Sequence, residues 1–171
     1  MKMHYLKHWI CLFQILAFIA GISGCKESSR HYAEIAENDV MSMMNEVEKA
    51  TLAKDLNGVI KHMAPFVVIN ITMASDNSTL MQQRVQISRD QYEDELRKFF
   101  AKRSYHDYRI ENAAITISEH RRSAIAEADI LETIVMDEKE TRTTTHQKSV
   151  LEIIDGKILV TSIDAIIVSG E

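Results

Sequence analysis

The chain has 171 residues, 46% hydrophobic and 26% charged, with a formal net charge of −5. That is the composition of one ordinary globular domain and excludes disorder as its main state. Five glycines and one proline exclude collagen-like and low-complexity chains, and no period of about 20 to 50 residues recurs to suggest a solenoid.

The first 24 residues hold Lys2 and Lys7, no acid, and an apolar run from Trp9 to Ile22 interrupted only by Gln14 and Gly21. The run is short for a membrane span, which needs about 20 apolar residues, and it ends in small residues, so residues 1–24 are expected to be a secretory signal peptide. Ile22-Ser23-Gly24-Cys25 resembles a bacterial lipobox. The resemblance implies that Cys25 is lipidated on its thiol, that the chain is cut before it, and that the new amine is acylated. Several acyl chains such as palmitate, each buried CH₂ worth about 0.8 kcal/mol, hold a protein durably to a bilayer. The alternative is an ordinary cleaved signal with a chance cysteine. Lys26 stands where Asp would imply retention at the inner membrane, so the expected location is the bacterial cell envelope, at the periplasmic face of the outer membrane.

With Cys11 in the signal and Cys25 consumed by lipid, the mature domain has no cysteine left for a disulfide, although its compartment permits one. Loss of Lys2 and Lys7 leaves 18 basic against 25 acidic residues, a net charge of −7. A nucleic-acid partner or an anionic-lipid surface is therefore disfavoured.

Residues 25–31 form a polar tether, and the domain is expected over 32–171. Tyr32, Ile35, Ala36, Val40, Met43, Met44 and Val47 fall at helical spacing on one apolar face; methionines at this period are expected to be core. A second short helix begins near Asp55 as N-cap, carries Leu56, Val59, Ile60 and Met63, and ends at Pro65. Phe66 to Met73 is a β-rich run, Ala74 to Ser78 has turn chemistry, and Thr79 to Ile87 completes a hairpin. Ser88-Arg89-Asp90-Gln91 is a capping box opening a helix with Tyr92, Leu96, Phe99 and Phe100 on one side. From Tyr105 the period is two. Turns at Glu119 to Arg122, Asp137 to Glu140 and Asp155-Gly156 divide the remainder into four long strands.

This order is α+β. The segments AKDLNGVIKHMAPFVV, SRDQYEDELRKFF and SVLEIIDGKILVTSIDAIIV, with the layout that joins them, resemble the nuclear transport factor 2-like superfamily over roughly Tyr32 to Val168. The resemblance implies a strongly curved, mostly antiparallel sheet wrapped around N-terminal helices. The result is a single cone-shaped domain whose open end often holds a small-molecule pocket. Enzymes of ketosteroid-isomerase-like and polyketide-cyclase-like type sit in that superfamily beside many non-enzymes, so the fold does not settle the function.

Strand register predicts which residues face the hollow. Pairing Ile154 with Lys157 places Leu151, Ile153, Ile158, Val160, Ile166 and Val168 inside, with Thr145, Gln147, Ser149, Ser162 and Asp164. Arg142, His146, Lys148, Glu152 and Lys157 then face outward. Pairing Met136 with Thr141 adds Ala124, Ala126, Ala128, Ile130, Glu132 and Ile134 to the inside. Asp164 and Glu132 are thus the candidate catalytic carboxylates, because an unpaired buried acid is costly and acquires a raised pKa suited to general acid or base work. Asn70, Thr72, Thr145, Gln147, Ser162 and Asp164 are the expected polar pocket lining. The bland alternative is that both acids are solvated or paired, with Arg109 opposite Glu132 as a salt bridge.

His62, His106, His120 and His146 have no HxxxH or HxH spacing, so no metal site is expected, and the absence of GxGxxG, GxxxxGK[ST], GxSxG and CxxC motifs suggests no cofactor. Outward Leu131, Val135, Val150, Leu159, Ile163 and Ile167 exceed what a solvent face wants, so a homodimer or an envelope protein is expected to cover that face. Two functions remain open. One is a non-catalytic, lipid-anchored binding or interaction module. The other is a small isomerase, cyclase or dehydratase using Asp164 or Glu132.

Overall fold

The computed structural model describes residues 31–74, 83–102, 104–136 and 139–169. The expected signal peptide, Cys25, residues 26–30 of the tether and residues 75–78 of the first turn lie outside these.

Helix α1 (Glu37–Leu52) buries Val40, Met43, Ala50 and Thr51, the face that the apolar spacing predicts. Its start is held by the Ala36 N–H, which donates to Asp39 Oδ2 at 3.3 Å, and the chain turns out of it at Lys54, a left-handed residue with φ 55. Asp55 caps α2 (Leu56–Ile60) by accepting from the Gly58 N–H at 3.0 Å. Strand β1 (Met63–Ala74) starts earlier than expected, so Pro65 lies within the strand and does not end the helix. The Val160 N–H already donates to the His62 carbonyl at 2.8 Å and draws the chain into the sheet. β2 (Gln83–Ser88) pairs with β1 antiparallel. Then the capping box opens α3 (Arg89–Lys102): the Ser88 N–H donates to Gln91 Oε1 at 2.9 Å, and the Gln91 N–H to Ser88 Oγ at 3.3 Å.

The four long strands follow: β3 (Ser104–Ile117), β4 (Ser123–Met136), β5 (Lys139–Ile154) and β6 (Lys157–Ser169). Asp155 and Gly156 both take positive φ, 49° and 72°, the conformation a two-residue hairpin needs. The sheet runs β2-β1-β6-β5-β4-β3 and is open. Among the described residues only the β1–β6 pair is parallel. Its hollow side packs on the helices around Ile35, Val40, Ile69 and Leu151, all essentially without solvent contact. A second cluster, Ala50, Val59 and Leu96, joins the three helices. The architecture is the expected α+β cone.

Two bulges correct the expected register. β5 and β6 pair as predicted from Ile154–Lys157 to Leu151–Val160, but Val150 then pairs with Ser162. Thr161 is the extra residue, its hydroxyl reaching the Val150 carbonyl at 3.4 Å. One inserted residue inverts everything beyond it. Ile163, Ala165 and Ile167 therefore share the side of buried Ser149 and Thr145, while Ser162, Asp164, Ile166 and Val168 go outside. On β3 a second shift between Glu111 and Ala114 brings Tyr108, in place of Arg109, opposite Glu132. Asn112 takes the left-handed conformation there, φ 53, and donates to Asp129. Arg109 instead pairs with Asp107 and Glu111. Met136 pairs with Lys139 where Thr141 was expected, a shift of two that leaves the faces unchanged.

Candidate functional site

Between the helices and the hollow side of the sheet lies a cavity of about 90 Å³. That is space for about three waters, well below the few hundred Å³ typical of drug-sized sites. α1 contributes Met43, Met44, Val47 and Thr51. Behind α2 stand His62 and Met63, α3 gives Tyr92, and the sheet supplies Tyr108, Gln147, Ser149 and aliphatic side chains of β3 to β6. Every polar group in this wall is a hydroxyl, an amide or an imidazole. Among the described residues no carboxylate, ammonium or guanidinium lines the cavity.

The polar groups are organised in pairs. Gln147 Nε2 donates to Ser149 Oγ at 2.9 Å, and Tyr108 shares a side-chain hydrogen bond with Thr51. His62 meets the Glu46 carboxylate at 3.2 Å, and Lys61 holds the same oxygen at 3.0 Å. Lys61, by hydrogen bond and charge, and then His62 keep the Glu46 carboxyl below its usual range against a smaller effect of burial. Burial first, then the Glu132 carboxylate, push Tyr92 up to about 12. Tyr108 is raised further by burial, with Tyr92 and Glu132 adding to it. Both phenols are therefore neutral hydrogen-bond groups at any ordinary pH. His62 and Glu46 form a carboxylate–imidazole pair able to hold or move a proton at the cavity wall.

No protein-family model matches the chain, and no curated protein does. Solved structures do. An NTF2-like protein from Cytophaga hutchinsonii superposes with a TM-score of 0.60 at 11% identity, covering 78% of this chain and 100% of that one. A ketosteroid isomerase-like protein from Erwinia carotovora atroseptica gives 0.56 at 10% identity, over 77% and 95% of the two chains. The fold is that of the nuclear transport factor 2-like superfamily. A calcium/calmodulin dependent protein kinase II association domain from Xanthomonas campestris shares it too, with a TM-score of 0.59, 18% identity and coverage of 80% and 90%.

The domain gathers some of the expected site residues and disperses others. Gln147 lines the cavity and Thr145 is buried on the same side. Glu132 is on the hollow side, its carboxylate accepting from Thr143 Oγ1 at 3.0 Å, close enough to raise Tyr92 and Tyr108 but not part of the cavity wall. Asp164 is a correction. Beyond the Thr161 bulge it lies on the outer face, half exposed, accepting from Asn70 Nδ2 at 2.9 Å with Arg84 at 3.7 Å. Ser162 leaves the pocket with it. Asn70 and Thr72 are outward as well, because Val67, Ile69 and Ile71 take the hollow side of β1. The two candidate carboxylates thus stand on opposite faces of the sheet. His62, Tyr92, Tyr108 and Thr51 were not expected as site residues. Tyr92 and Met43 had signals, but as core positions, and nothing local marks His62, whose place depends on the β1–β6 pairing. Among the described residues no three His, Cys, Asp or Glu groups converge to hold a metal ion.

Proposed function

We propose that this protein is a lipid-anchored module of the bacterial cell envelope, held by acylated Cys25, that binds a small and largely apolar molecule without transforming it. The cavity lined by methionine, aliphatic and neutral polar side chains carries the reading. Its walls favour a ligand with an apolar body and one or two hydrogen-bonding atoms, since a full charge would meet no counter-charge there. Met43, Met44 and Met63 are unbranched, so the wall can re-pack around a body larger than the empty space. On the outer face Phe66, Val68 and Ile166 are exposed at 62%, 38% and 46%. Together with outward Leu131, Val135, Val150 and Leu159 they support a protein partner, either a second copy or another envelope component.

Native mass spectrometry of the protein purified from envelope membranes tests the binding function. The expected result is a mass excess of one small molecule, lost when Ala128→Leu fills the cavity. Chains whose mass equals the acylated polypeptide in both forms would overturn it. Cys25→Ser is expected to abolish palmitate incorporation and release the protein to the soluble fraction, whereas label retained in the variant refutes the anchor.

The Glu46–His62 pair favours a second reading, a small acid–base enzyme with His62 as proton carrier in place of either candidate carboxylate. General-base catalysis contributes about 10²–10⁴-fold. His62→Gln and Glu46→Gln would then abolish turnover of the retained molecule, while in a binding module they change only its affinity.

A further inference from the structure

Before α1 begins, the N-terminal segment is strapped to one end of the sheet. The Tyr32 N–H donates to the Gly156 carbonyl and the Ile35 N–H to the Arg121 carbonyl, both at 2.7 Å. Arg121 returns a bond to the Ile35 carbonyl at 3.3 Å and pairs with Glu34 at 3.1 Å. The His31 ring covers Gly156 so closely that a Cβ there would meet it at 2.0 Å. All these partners belong to the β3–β4 and β5–β6 turns, which lie at the same end of the sheet.

The cavity lies along the middle of the sheet, its wall running from the Leu151–Val160 pair beside these turns to Tyr108. Ile35, bonded to Arg121, is 0% exposed, as is Leu151, and its partner Ala124 is 2% exposed, so the strapped end of the hollow is closed by packed side chains. The opposite end is marked by the cross-strand row Tyr108, Glu132, Thr143 and Ser169. Tyr92, Glu132 and Thr143 are partly exposed there.

Cys25 precedes His31 by six residues, a span of at most about 20 Å when fully extended. The 14 residues of β3 span about 45 Å. Resting on the lipid-anchor reading above, we propose that the domain sits with its β3–β4 and β5–β6 turns toward the phospholipid bilayer. The far end of the sheet, marked by Tyr108, Glu132 and Thr143, then faces the aqueous compartment. The inverted pose would lift the strap roughly 45 Å from the surface, more than twice what the tether spans. Charge does not oppose the upright pose: Arg121, Arg122 and Lys157 at these turns are offset by Glu34, Glu119 and Asp155, so contact with lipid follows from the tether's length and needs no anionic headgroup.

The acylated full-length protein offers a direct test, because Cys11 is in the signal and Cys25 is blocked, so one introduced cysteine is the single reactive thiol. Lys157→Cys and Arg142→Cys place a fluorophore at the turn end and at the far end of the sheet, both on exposed positions. Each is reconstituted into phosphatidylcholine vesicles carrying headgroup-attached quencher. The expected result is at least several-fold stronger quenching at position 157 than at 142. Equal or reversed quenching in a chain whose mass shows acylated Cys25 overturns the orientation alone. A chain without acyl mass that fails to float with the vesicles overturns the anchor, and the orientation with it.

Discussion

Tyr92 shows how one side chain couples the cavity to solution conditions. Its phenol is pushed up to about 12, by burial first and by the Glu132 carboxylate second, so the folded state keeps a proton that the unfolded chain loses near pH 10. Between those values the native state binds more protons, and stability falls as pH rises. The neutral Tyr92 therefore contributes its full share below about pH 10 and loses it by about pH 12, a change of roughly 2–3 kcal/mol. Spectrophotometric titration of the folded domain is expected to show Tyr92 silent until alkaline unfolding, and Tyr92→Phe to flatten that fall. Asp164 makes the opposite case. Because it is half exposed and bonded to Asn70 on the outer face, Asp164→Asn should change stability by no more than about 0.5 kcal/mol and leave the retained molecule in place. Loss of that mass in the Asn variant would contradict the outward placement.

Among the elements, two helix caps and the β5–β6 turn obey local chemistry, and they stand where the sequence puts them. Ser88 and Gln91 form their reciprocal bonds, Asp55 caps α2, and Asp155-Gly156 makes the β5–β6 turn. Gly156 has a second duty that sequence does not disclose. Its positive φ costs a side-chain-bearing residue about 1–2 kcal/mol, and its bare Cα admits the His31 ring. Gly156→Ala is accordingly expected to lower the melting temperature by roughly 5 °C or more. It should also speed proteolysis before α1, because the strap is displaced. An unchanged protease pattern would mean the strap does not depend on that contact. The bulges escaped local signals in unequal degree. Asn112 is a residue type that tolerates the left-handed conformation, so its bulge had a marker. Thr161 had none, yet the isolated acid that an unbroken register puts among Ile158, Val160 and Ile166 was itself a sign that the register breaks there. An unpaired carboxylate against the core costs far more than one unpaired residue in the ladder.

For the whole molecule, the sequence alone determined the order of helices and strands, the β3–β4 and β5–β6 turns, and the presence of one apolar sheet face, because period and turn chemistry act within a few residues. It also marked Gln147 and Thr145 as inward. Which carboxylate meets the hollow, that His62 and Glu46 converge, and where the N-terminal strap docks were decided only by the tertiary structure. Each depends on contacts between distant segments, such as the parallel β1–β6 pairing that carries His62 to Val160. Packing selects the register that sends Ile163 and Ala165 inward and Asp164 out, since burying two aliphatic groups and hydrating a charge outweighs one lost pairing in β6.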